Sequence, residues 1–212
     1  GPSRHYEIAK FLQNNNWNVS MYASDFNLSS RTFLKLSNKL SFSFSEFIIG
    51  VKFIWLRVFP YSINNWKRYL NIFSFALHIF IRLSIDNIVA NLRRQKPDII
   101  LASSPQLLAA FSSFLVAKIF RRIFILEIRD LWPQVLIDLG GKSPNSLLIR
   151  FLFEIEKMLY KNSDGIVILS KGVEGYVRER GAKKVIWLPN GPDLNLFKSK
   201  KLPFEKGFCE KR

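Results

Sequence analysis

At 212 residues, 48% hydrophobic and 23% charged, the chain is long enough for one large α/β domain and too apolar for disorder. Its single cysteine, Cys209, excludes an internal disulfide framework and a cysteine-based zinc site. A net charge of +16 suits a polyanionic partner such as nucleic acid, an anionic membrane or a phosphorylated substrate, although a lysine-rich proteome produces the same bias.

The chain opens Gly1-Pro2-Ser3-Arg4 without an initiator Met or an apolar leader segment, so residue 1 reads as an unnatural start. Residues 4 to 13 suit a helix, with Ile8, Phe11 and Leu12 on one face. Asn14-Asn15-Asn16 breaks it, because Asn tolerates the left-handed conformation of a C-terminal cap. Val19, Met21 and Ala23 then alternate with polar residues as a strand does, and Asp25-Phe26-Asn27 closes it. A doubly wound sheet should begin with a strand before the first turn and helix, so the first strand is expected upstream of Gly1.

Residues 31 to 84 are rich in Phe and Leu, and Glu46 is the single acid between Arg31 and Arg82. Ser43-Phe44-Ser45-Glu46 predicts the start of a helix carrying Phe47, Val51 and Trp55. A second helix is expected from Asn65 to Leu83, with Trp66, Leu70, Phe73, Leu77 and Ile81 on one face. Such a basic, aromatic, helical insertion either docks on an anionic membrane surface or packs its apolar face on the sheet.

Four short apolar runs then read as parallel strands covered on both faces: 98–102, 123–128, 165–169 and 185–188. Helix-length stretches separate them at 106–120, 145–161 and 171–180, so the fold class is α/β, a doubly wound parallel sheet. The uncharged tract from Ile99 to Ala117 is broken at Ser103-Ser104-Pro105 and predicts a strand-to-helix turn rather than a membrane span.

No Walker loop, His-Glu-x-x-His helix or Cys/His cluster occurs, and two histidines make a His-based metal site improbable. His78 reads as structural and His5 as a solvated residue. Ligands of open α/β sheets bind at strand C-termini, and the polar residues that follow each strand are therefore the site candidates. Gly1 and Arg4 precede the first helix, where backbone N–H groups and a guanidinium suit a phosphate. Ser103 and Ser104 either contact a ligand or cap the next helix. Glu127, Arg129, Asp130 and Trp132 crowd the end of the third strand, where a carboxylate could act as base or orient a hydroxyl. The alternative there is an Arg129–Asp130 ion pair in a plain turn. Ser170 and Lys171, and the turn at Asn190-Gly191, end the last two strands.

Taken in order, Tyr160 to Ser170, Pro189-Asn190-Gly191-Pro192-Asp193 ending at Phe197, and Gly1 to His5 resemble the N-terminal domain of family-four, GT-B-type glycosyltransferases. Arg129-Asp130-Leu131-Trp132-Pro133 and the Trp55, Tyr61, Asn64-Asn65, Arg68 region resemble a fucosamine-transferase-like subgroup that builds bacterial O-antigen, capsule and colanic-acid-like polysaccharides. The chain departs from that pattern at Pro192, where Val is usual, at Asn14–Asn16, where a Gly is preferred, and at Arg129-Asp130, where many relatives carry a His.

The resemblance implies an acceptor-side Rossmann-like domain over residues 1–194, with the helical insertion at 31–84. Residues 195–212 would then be a linker to a separate donor-binding domain. It implies retaining transfer from a nucleoside-diphosphate-sugar, with no other cofactor, to a polyprenyl-diphosphate-linked acceptor. The expected location is cytoplasmic, peripheral on the inner face of the membrane. Asp130 and Arg129 become candidates for catalysis; Gly1, Arg4, His5, Ser103, Ser104, Glu127, Trp132, Ser170, Lys171, Asn190 and Gly191 become candidates for substrate binding. A sugar-nucleotide epimerase of the same two-domain architecture is the second reading, and a non-catalytic anionic-membrane-binding domain the third. Nucleic acid is disfavoured as a partner because the aromatics fall on helical stripes rather than on a sheet face.

Overall fold

The computed structural model describes residues 4–27, 29–36, 41–63, 66–104, 106–138 and 143–191. The expectations for Gly1, Asn64-Asn65, Pro105, Pro192-Asp193, Cys209 and the 195–212 linker lie outside them.

Helix α1, Arg4–Asn14, ends where expected, with Asn16 left-handed at φ 66°. Strand β1, Ser20–Ser24, follows, and the short strands β2, Phe26–Asn27, and β3, Thr32–Phe33, pair antiparallel. Buried Asp25 organises this loop: its carboxylate accepts the backbone N–H of Lys35 at 2.8 Å and of Leu36 at 2.6 Å.

The helix predicted from Ser43 is instead a β-hairpin. Strands β4, Ser43–Ile48, and β5, Val51–Leu56, pair antiparallel with Ile48 opposite Val51. Ile49 and Gly50 form the turn, both at positive φ (47° and 85°), as a two-residue hairpin requires. Phe47, Val51 and Trp55 are spaced by four and imitate a helical face, but β-branched and aromatic density and a central glycine favour strands. The hairpin joins β1 in a three-stranded sheet of order β1-β5-β4, with β1 and β5 parallel. Among its described residues the 31–84 region therefore holds β3, the β4–β5 hairpin and most of one helix rather than helices alone.

Helix α2, Trp66–Leu92, outruns its expected end at Leu83. Ser84, Asp86 and Asn87 look like a break, yet each polar group beyond the serine has a partner. Asp86 pairs with Arg82 at 2.9 Å and accepts from the Tyr22 hydroxyl at 2.8 Å. Asn87 donates back to the Leu83 carbonyl and accepts from Arg122.

Four parallel strands form the main sheet in the order β6-β7-β8-β9: Ile99–Ser104, Ile123–Ile128, Gly165–Ile168 and Val185–Trp187. Between them run α3 (Leu107–Ile119), the short α4 (Gln134–Asp138), α5 (Leu147–Asn162), and a 3-10 turn leading into α6, Glu174–Glu179. Ser146 caps α5, accepting from the Ile149 N–H at 3.4 Å.

Phe124, Leu126 and Ile128 of β7 and Ile166 and Ile168 of β8 meet Phe114 and Val116 of α3, and Ile155 and Leu159 of α5, in one buried core. Continuous apolar runs predicted cover on both faces, but the second face is partly open, with Leu101 49% exposed. Polar residues occupy this second face near the strand ends, and the candidate site begins there.

Candidate functional site

Side chains alternate along β7, so Glu127 points away from Leu126 and Ile128, towards the second face of the sheet. Parallel pairing places Ser103 of β6 directly beside it. Glu127 is 2% exposed, and three side chains close on its carboxylate. Arg4 Nε donates to Oε1 at 2.7 Å, His5 Nε2 lies 2.5 Å from Oε2, and Ser103 Oγ donates to Oε2 at 2.9 Å.

Burial alone would raise the carboxyl of Glu127. Hydrogen bonds from His5, Arg4 and Ser103, together with the attraction of His5, outweigh it and hold the group at about 2. Glu127 is therefore a fixed anion at neutral pH rather than a proton acceptor. An anionic partner at Nε2 makes that nitrogen the donor in this contact.

Arg4 opens α1 and also reaches the chain beyond β9. Its Nη2 donates to the Leu188 carbonyl at 2.8 Å; Nη1 donates to the Pro189 carbonyl at 3.0 Å and to Asn190 Oδ1 at 3.2 Å. A phosphate bound there would have to compete with these contacts, so the guanidinium is a clamp first. His5, expected in solvent, is instead drawn onto Glu127 with 26% of its side chain exposed.

Ser103 and Ser104 end β6 and do not cap α3, whose N-cap is Gln106 without a side-chain hydrogen bond. Ser104 is buried; its Oγ donates to the Asp130 carbonyl at 3.2 Å and accepts the Arg129 N–H at 3.4 Å. It thereby fixes the turn that carries the exposed Arg129 and Asp130 side chains, and among the described residues no ion pair joins those two. Trp132 follows half-buried, and its bond to Pro133 is cis.

Arg4, His5, Ser103, Glu127 and Asn190 thus meet in one cluster, with Ser104 and the 129–130 turn attached through β6. Ser170, Lys171 and Gly191 are exposed at the same strand ends, outside the cluster, and Lys171 Nζ lies 5.8 Å from the Trp187 ring centroid. His78 is structural, its Nδ1 on the Arg57 carbonyl.

Sequence reasoning missed a second polar cluster. Buried Glu156 accepts from Tyr160 at 3.0 Å and Tyr176 at 3.2 Å, and lies 3.4 Å from Arg180. Burial raises its carboxyl against the opposing pull of the two tyrosines and Arg180, to about 7. The only sequence signal was an acid on the apolar stripe of α5. Among the described residues no group of three or more His, Cys, Asp or Glu could hold a metal.

No protein-family model matches the chain. It is 28% identical over 142 residues to the colanic acid biosynthesis glycosyl transferase WcaI of Escherichia coli K12, a match over 65% of this chain and 33% of that protein. Sucrose-phosphate synthase from Thermosynechococcus elongatus superposes with a TM-score of 0.57 at 14% identity, over 91% of this chain and 43% of that one. A second structure of that synthase gives a TM-score of 0.52 at 12% identity, over 91% of this chain and 90% of its own. The chain spans about a third of the curated relative's length. Its architecture is the Rossmann-like half of a GT-B fold.

Proposed function

We propose that this chain is the acceptor-side half of a retaining, hexosyltransferase-type glycosyltransferase that serves bacterial surface polysaccharide synthesis. Its donor would be a nucleoside-diphosphate-sugar and its acceptor a polyprenyl-diphosphate-linked saccharide at the cytoplasmic face of the membrane. The likeness to WcaI and the GT-B half-fold support the sugar-transfer reading. The observation that carries it is the cluster on Glu127, a built polar site at the C-terminal ends of parallel strands.

In the reaction, the bond between the donor's anomeric carbon and its phosphate oxygen breaks. A new bond forms from that carbon to an acceptor hydroxyl oxygen, and the hydroxyl proton leaves with the nucleoside diphosphate. Glu127 holds the His5 ring in place, and the free edge of the imidazole hydrogen-bonds the acceptor hydroxyl and positions it; Asp130 and Trp132 line the acceptor's approach. Donor contacts belong to residues outside this chain, so the 212-residue chain alone is inactive. A strand ahead of Arg4 belongs to the same proposal, and among the described residues β1 and β6 each pair on one side only.

The test uses the complete open reading frame that contains this chain, assayed with labelled nucleotide sugars and a polyprenyl-diphosphate-linked acceptor. Transfer is expected, with His5→Ala lowering kcat/KM by roughly a hundredfold. No product from any nucleotide sugar would sink the reading, and turnover by the 212-residue chain alone would refute its inactivity.

A further inference from the structure

Helix α2 has two apolar faces, and the fold uses one. Asn71, Ala76, Ile79, Leu83 and Asn87 are buried on the inner face, where Leu83 joins the main core and Ile79 packs with Ile54 and Leu56 of β5. The opposite face stands in solvent: Trp66, Phe73, Leu77, Ile81, Ile85 and Leu92 run its whole length, with Phe73 60% and Leu92 81% exposed. At 27 residues the stripe is about 40 Å long. That exceeds the scattered apolar exposure usual on a soluble surface.

The charges on and around the helix identify what covers it. Lys67 and Arg68 flank one end, and Arg93, Arg94 and Lys96 the other. Between them the only charged residues of the helix, Arg82 and Asp86, neutralise one another. A second copy of this chain would bring one net charge of +16 against another. An anionic lipid surface satisfies the apolar stripe and the cationic ends together.

By length and composition α2 could also cross a bilayer. Its inner face rules that out here: a spanning α2 would carry Arg82, Asp86, Asn87 and Asn91 into hydrocarbon, and it would strip Arg122 of its partners Asn87 and Asn91.

We infer that the outer face of α2 lies flat in the interface of an anionic membrane, Trp66 to Leu92 along the surface, with the domain standing on it. The inference rests on α2 alone and does not require the sugar-transfer reading.

Flotation of the purified 212-residue chain with phosphatidylglycerol–phosphatidylcholine vesicles tests it. The chain should float with these vesicles, less so with phosphatidylcholine alone or at high salt. Phe73→Ser, Leu77→Ser and Ile81→Ser combined should weaken binding by at least about tenfold while the far-ultraviolet spectrum is kept. Independently of that variant's folding, an environment-sensitive dye at Ile85→Cys, in a Cys209→Ser background, should shift to the blue on vesicles and be quenched by brominated lipid. Failure to float, a dye that stays in water on bound vesicles, or a dimer in solution dissolved by the triple substitution would each overturn the inference. None of these outcomes bears on sugar transfer, which is read separately in the assay above.

Discussion

Arg4 and Glu127 are 123 positions apart in sequence and 2.7 Å apart in space. One guanidinium thereby joins the start of α1, the end of β7 and the chain that leaves β9. The site is assembled around a buried ion pair, which costs desolvation and is worth keeping only while every partner is present.

Glu127→Ala should therefore destabilise the domain by about 3–5 kcal/mol, because Arg4 is left largely buried without its counter-charge. Urea unfolding measures this. Hydrogen exchange should also accelerate at the amides of Leu188 and Asn190, in the segment Arg4 holds through the Leu188 and Pro189 carbonyls and the Asn190 side chain. Unchanged exchange there would show that Arg4 grips this segment without help from Glu127.

Acid should separate Glu127 from an ordinary surface carboxylate. Its pKa falls from 4.5 to about 2 on folding, so the unfolded chain binds its proton first as pH drops. The stabilisation, on the order of 3 kcal/mol, is complete above pH 4.5 and lost as pH falls towards 2. In Glu127→Gln the decline across that window should be shallower by about this amount.

Glu156 should act in the opposite direction. Its pKa rises from 4.5 to about 7 on folding, so between these values the folded chain holds the extra proton. Stability from this group is full below pH 4.5 and is lost as pH rises through 7. Glu156→Gln, which stays neutral beside Tyr160, Tyr176 and Arg180, should be more stable than the parent at pH 8 and lose the slope between pH 4.5 and 7. Equal slopes in the two proteins would show that Glu156 ionises normally.

Ile49 is a β-branched residue at φ 47° and is 74% exposed, so its side chain costs strain and contributes little packing. Ile49→Asn creates the Asn-Gly pair favoured in this turn and should raise stability by roughly 1 kcal/mol. A lower urea midpoint would mean that the exposed isoleucine is held by contacts that offset the strain.

The four parallel strands were legible because burial makes them near-continuous apolar runs, and helix spacing between them is hard to mistake. The hairpin was not, because Phe47, Val51 and Trp55 fit two periods at once and only the turn at Ile49-Gly50 decides between them. For α2 the periodicity was visible, but Phe73, Leu77 and Ile81 are as apolar as Ala76, Ile79 and Leu83. Pattern alone could not say which set faces the core. The rule that strand ends gather ligands brought Glu127, Ser103 and Arg4 onto one side of the sheet. That His5 would turn from solvent to Glu127 depends on a contact spanning 122 positions, which no local pattern encodes.

Because Arg4 grips the carbonyls of Leu188 and Pro189, residues 4 and 190 emerge side by side. A pull applied between those two points would not unravel strands in turn; it would load a handful of hydrogen bonds on one side chain before the sheet felt any force. The domain should behave as a closed loop under tension, with its weakest link at Arg4 and a rupture force set by one guanidinium.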